Sequence, residues 1–163
     1  MPKANIIYAH LADQVFPSEG GKLNVIGIFG GLNGPGRIGM AKFPAVYPRL
    51  ALAVGLSTTE KQLPVTITFR SEDGKDVVPP FSGTFEIQRT EGAGQKEAAN
   101  VNFNLNFDAF QIQGPGKLFI TVESGEDELA ELEIDVIQAQ AGPQPQSPPG
   151  QQAPPPPPAG PAA

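Results

Sequence analysis

Few residues in this chain are of types that do chemistry, so their spacing is weighed first. His10 is the one histidine among 163 residues, and there is no cysteine. Any Ser-His-Asp site would have to run through that histidine. It stands inside the apolar run N-I-I-Y-A-H-L-A, where a hydrogen-bonded structural histidine is the commoner case. Gly34-Pro35-Gly36-Arg37-Ile38-Gly39 matches the G-x-G-x-x-G spacing of a dinucleotide-binding turn. That fingerprint presents backbone amides and a helix N-terminus to a pyrophosphate. Here the second position is proline, which has no amide, and Met40 to Pro44 leaves too little chain for a helix. The stretch is expected to be a flexible loop. Glu123 to Glu128 gathers carboxylates of the kind Ca²⁺ takes, but lacks the D-x-D-x-D-G spacing. No catalytic residue, cofactor or metal ligand is assigned, and the chain is expected not to be an enzyme. A hydrolase working through His10 is the least favoured reading.

Two groups remain as candidate binding residues. One is the glycine-rich connection that follows K-L-N-V-I-G-I-F, with Gly30, Gly31, Asn33, Arg37 and Lys42 as its candidate contacts. The other is the ladder Asn102, Asn104 and Asn106, which alternates with Val101, Phe103, Leu105 and Phe107. Asparagine is a poor strand former, so three in alternation raise the question of a polar surface for sugars or another sheet.

The elements that would position these residues are strands. Leu50, Leu52, Val54 and Leu56 share one parity, as do Leu63, Val65, Ile67 and Phe69, and the same holds for Leu118, Ile120 and Val122. Ala130, Leu132, Ile134 and Val136 alternate with Glu131, Glu133 and Asp135. Period-2 alternation marks strands with one buried face and one wet face. Asp73-Gly74 and Ser124-Gly125 are hairpin signals, and Pro79-Pro80 marks a sheet edge or a break. The pattern predicts an all-β fold: an antiparallel β-sandwich of about eight strands, immunoglobulin-like or jelly-roll-like, with no convincing helix. Lys22 to Phe29 is expected to be a central strand and residues 30–45 a long irregular connection. Glu131, Glu133 and Asp135 are expected on the solvent face of the last strand, where they would also discourage pairing if that strand lay at an edge.

The domain is expected to span residues 1–138. From Ala139 onward there is no charged residue, and ten of the nineteen prolines lie there. Residues 139–163 therefore read as a disordered, polyproline-like tail, a spacer rather than a ligand for an aromatic groove. The net charge of −6 is uneven. Seven acids and no base lie between Val122 and Asp135, and the rest of the chain carries ten acids against eleven bases. Without a basic stripe, nucleic acid is not an expected partner. The longest uncharged stretch before the tail, Leu23 to Gly36, holds five glycines and is not a membrane span. Asn5, His10 and Asp13 interrupt the N-terminal apolar run, so no secretory signal is read there. A cysteine-free chain with these features is expected to be soluble and cytoplasmic.

Four segments carry a family resemblance: K-L-N-V-I-G-I-F-G-G-L from Lys22, F-P-A-V-Y-P-R-L-A-L from Phe43, S-E-D-G-K-D-V-V-P-P-F-S-G from Ser71, and the closing hairpin from Pro115. Together, from Ala4 to about Ile137, they resemble a family of small bacterial proteins of unknown function. The resemblance implies a short β-sandwich and brings no activity, ligand or site residue. The leading expectation is a non-enzymatic module that binds or assembles with another protein. The alternative is a sandwich that binds a small molecule or carbohydrate.

Overall fold

The computed structural model describes residues 4–88 and 97–139. The expected disordered tail, apart from Ala139, and the expected loop Glu91 to Gln95 lie outside the described residues. Nine strands form two facing sheets. They are β1 (Ala4–Pro17), β2 (Leu23–Gly31), β3 (Gly36–Met40), β4 (Ala45–Thr58), β5 (Gln62–Ser71), β6 (Asp76–Glu86), β7 (Ala99–Ile112), β8 (Gly116–Ser124) and β9 (Asp127–Gln138). A single 3-10 turn, Glu19–Gly21, joins β1 to β2. One sheet has the order β2-β1-β4-β7, the other β3-β9-β8-β5-β6. Placing β4 with β7, and β9-β8-β5-β6 side by side, reproduces the B/E and G-F-C-C′ arrangement of the immunoglobulin sandwich rather than a jelly roll.

The alternating residues build the core as their parity requires. Leu50, Leu52, Val54 and Leu56 of β4 are fully buried and face Leu63, Ile67, Phe69, Ile120, Val122, Leu132 and Ile134 of the other sheet. Burying each such side chain contributes about 1.5–3 kcal/mol. Phe85 on β6 stacks on Phe103 on β7 at 4.7 Å, tying an edge of one sheet to an edge of the other. Ala109 takes φ +57 opposite Pro48, and the alternation resets there, so that Phe110 and Ile112 are buried and Gln111 is exposed. Phe69 then meets both Phe107 and Phe110 edge-on or tilted, at 4.9 and 5.9 Å.

The all-β sandwich of about eight strands is borne out, with nine strands among the described residues, and three details are corrected. Part of the supposed irregular connection is the strand β3, paired in parallel with β9 from Gly36↔Ile134 to Met40↔Gln138. The sandwich is thus mixed rather than wholly antiparallel. The acidic strand β9 is internal, since β3 covers it. β2 is an edge strand and not a central one, hydrogen-bonded to β1 alone. The placement of Pro79-Pro80 holds: both lie in β6, the edge of the second sheet, where a missing amide costs no ladder bond.

The glycines at 30 and 36 have a steric reason. β2 and β3 belong to different sheets and cross in backbone contact. A Cβ on Gly36 would lie 2.5 Å from the Phe29 carbonyl and 2.8 Å from the Gly30 Cα; one on Gly30 would lie 2.6 Å from the Gly36 Cα. Gly114 has no atom within 4 Å of a Cβ position. Gly36→Ala is therefore expected to destabilise the fold by about 1–3 kcal/mol, the cost of overpacking. Gly114→Ala should leave it unchanged within about 0.5 kcal/mol. Chemical denaturation of both variants checks the contrast.

Candidate functional site

The β1–β2 hairpin is the part of the sandwich that departs most from a flat sheet. β1 pairs with β4 only as far as Ala12↔Ala51. Beyond that point it continues with β2 alone, as an arm that packs on the outer face of its own sheet. Ala12, Val15, Ala51 and Ala53 are buried there, with Leu23 and Val25 against them. Ala51 and Ala53 point away from the main core, and their small side chains give the arm room to lie close. A hydrogen bond pins the arm: Tyr47 Oη donates to Asp13 Oδ1 at 2.7 Å. Desolvation, then this bond and the carboxylate charge, push the Tyr47 hydroxyl up to about 12. Asp13 also lies directly over Gly27, at φ +68, where a side chain would collide with it.

The free side of the arm is the edge of β2. From Leu23 to Gly31 it carries no charge and no proline. Ile26 and Ile28 point to solvent at 52% and 56% exposure, and Phe16 and Leu32 are exposed at the ends of the arm. Of the eight exposed large apolar residues among those described, these four fall between residues 16 and 32. The other edges are blunted. β6 holds two prolines and two register shifts, β7 carries Asp108 and the kink at Ala109, and β3 is five residues long with exposed Arg37. Exposed apolar edge strands are the type that natural sheets normally protect.

A second feature lies under the arm. Tyr8, His10 and Asn102 of the sheet face, with Lys22, Leu23 and Val25 of the arm, enclose a shallow recess of about 320 Å³. The Tyr8 ring lies over Gly55 and stacks on His10 at 5.7 Å and 11°. Tyr8 Oη donates to Asn102 Oδ1 at 3.0 Å, and burial raises the tyrosine's pKa. His10 lies against Gly31, where a Cβ would sit 2.6 Å from Nδ1. A larger cleft of about 590 Å³ opens at one end of the sandwich, between the β5–β6 turn and the β7–β8 turn. Its rim is polar, and Asp73 is held down to about 2 by Lys75 and Ser71.

The residues expected to bind are placed as follows. Asn102, Asn104 and Asn106 lie on β7 opposite Gly55, Ala53 and Ala51, on the outer face, and only Asn102 lines the recess. Gly30 and Gly31 are in β2, Asn33 is in the turn after it, Arg37 is on β3 opposite Asp135, and Lys42 is in the bend before β4. These five do not converge, and neither cleft is lined by any of them. The expected binding loop is thus corrected to a strand end, a turn and a short strand. Among the described residues no three of His, Cys, Asp and Glu gather as a metal site. No described helix is long and apolar enough to cross a membrane.

The chain is thus an immunoglobulin-type β-sandwich with one open apolar edge. It belongs to the family of unknown function DUF6941, whose model matches residues 7–137. No curated protein matches it. Among solved structures it is similar to the Pseudomonas fluorescens alkylpurine DNA glycosylase AlkC bound to DNA containing an abasic site analog, at 11% identity and a TM-score of 0.43. That match covers 84% of this chain and 31% of the glycosylase chain, so this chain spans about a third of its length. At that level the likeness assigns neither fold nor function.

The pinned arm yields a test. Tyr47→Phe should cost about 1.5–3 kcal/mol, the range for a hydrogen bond to a charged group. In Asp13→Asn the Tyr47 hydroxyl should ionise closer to 10. A tyrosine whose folded pKa is raised stabilises fully below pH 10, and that contribution falls away between pH 10 and about 12. Ultraviolet titration of tyrosinate in both variants, alongside denaturation, reads the two effects.

Proposed function

We propose that this protein is a non-enzymatic binding module that takes up a strand of a partner protein along the β2 edge. The observation that carries the reading is Ile26 and Ile28, more than half exposed on an uncharged, unpaired edge. Strand addition supplies backbone hydrogen bonds for affinity and alternate side chains for selection. The setting we propose is the bacterial cytoplasm, where a chain without cysteine loses nothing to reducing conditions. An Ile26→Lys bait should lose the proteins retained by the unaltered chain in a comparative pull-down. A Phe81→Lys bait, changed at an exposed apolar residue on β6, should keep them. Equal retention by all three baits rejects the edge as the binding surface.

A second reading rests on the recess under the arm. A flat tyrosine with a neighbouring amide and an apolar wall suits a small sugar or metabolite, and the volume is at the low end for ligand pockets. Thermal shift against a carbohydrate panel checks it: a true ligand at 100 times its Kd should add about 2.7 kcal/mol. No stabilisation by any compound rejects it.

A further inference from the structure

We infer that the cleft between the β5–β6 turn and the β7–β8 turn is a binding site for a small organic cation, an ammonium group on a compact apolar body. The site is separate from the β2 edge and from the recess under the arm. Its volume of about 590 Å³ falls within the range of small-molecule sites. The floor is apolar: Phe110 and Ile112 of β7, Leu118 of β8 and Val136 of β9, with Val77 of β6 beside them. Phe110 and Ile112 reach the floor because the chain turns at Ala109, whose φ of +57 is the one positive value among the described non-glycine residues. A left-handed alanine is disfavoured, and backbone strain of this kind collects at ligand-binding sites.

The charges at the mouth decide the sign of the ligand. Lys75 is held by Asp73 at 2.5 Å, Arg70 by Asp76 at 3.2 Å, and Lys117 by Glu133. An anion would have to displace a carboxylate from each lysine. Glu72 makes no hydrogen bond or ion pair among the described residues. Its carboxylate reaches across from the β5–β6 turn to Gly116, with Oε2 3.4 Å from where a Cβ would stand. The Lys117 pKa is raised, first by its bond to Glu133 and that carboxylate's charge, and further by Asp135 and Glu72, so three carboxylates act on one ammonium. With each base answered, the charge left over is that of Glu72. An ammonium on Glu72, with its apolar body on Phe110 and Leu118, matches both parts of the cleft.

Phenethylamine, titrated into the full chain at millimolar concentration and followed by methyl NMR, should shift the resonances of Ile112, Leu118 and Val136 and leave Val25 of the arm in place. Hydrocinnamate, of similar shape and opposite charge, should bind several-fold more weakly. Glu72→Gln should weaken the amine about five-fold, the upper range for a partly exposed ion pair. Glu126→Gln makes the same charge change past the far end of β8 and should bind like the unaltered chain. Both glutamates are exposed, so circular dichroism of the two variants should be unchanged. The absence of shifts at the three floor methyls overturns the inference. So does hydrocinnamate binding as well as the amine, an affinity unaltered by Glu72→Gln, or an equal loss in Glu126→Gln.

Discussion

The crossing of Gly30 over Gly36 is the contact on which the arrangement of both sheets depends. It lets the chain leave the first sheet at the end of β2 and enter the second as β3 within five residues. With any side chain at either point the two backbones could not approach as they do. Two consequences follow. β3 reaches β9 and covers it, so the acidic strand has a neighbour on each side. β2 has no such neighbour, because the strand that follows it in sequence has gone to the other sheet. The protected acidic strand and the open apolar edge therefore share one cause.

The same device recurs on the outer face of the first sheet. Gly55 lies under the Tyr8 ring, and Gly31 lies under His10. Ala51 and Ala53 sit beneath the arm. A column of small residues on β4 thus accepts large groups from β1 and β2, which is how an outward-facing surface becomes a second, smaller core. The asparagine ladder runs beside that column on β7. Its polar side chains border a covered surface rather than open sheet, and Asn102 takes part through Tyr8.

How much was legible follows from the range of each cause. The buried parity of β4, β5, β8 and β9 is written locally, as apolar residues at every second position, and every one of those predicted inward side chains is buried. Whether a strand lies at the centre or the edge of a sheet is decided by pairing with residues far along the chain, and K-L-N-V-I-G-I-F is apolar enough for either place. β3 was missed for the same reason. Its five residues include two glycines, are too few for their alternation to stand out, and pair in parallel with a strand nearly a hundred residues later. The glycines at 34 to 39 could be told from a phosphate loop by Pro35 and the absent helix. The steric room that Gly36 provides at the crossing depends on Gly30, which lies in the other sheet, and no local pattern shows it. Tyr8 went unremarked as a site residue because its partner, Asn102, is 94 positions away.

Charge then separates the two faces of the molecule. Exposed acids on β9 interact weakly at physiological salt beyond about 8 Å, so they act only on what comes close to that sheet. They discourage contact there and leave the opposite sheet, with its uncharged edge, as the surface where another chain can approach without electrostatic cost. An exposed isoleucine pair is a hazard for aggregation unless something covers it. Natural edges are usually blunted with lysine, proline or a bulge, and β6, β7 and β3 each show such a device. β2 has a bend at Gly27 and a register shift near Phe29 but neither charge nor proline. The bend limits the flat length available, which disfavours open-ended stacking of strand upon strand.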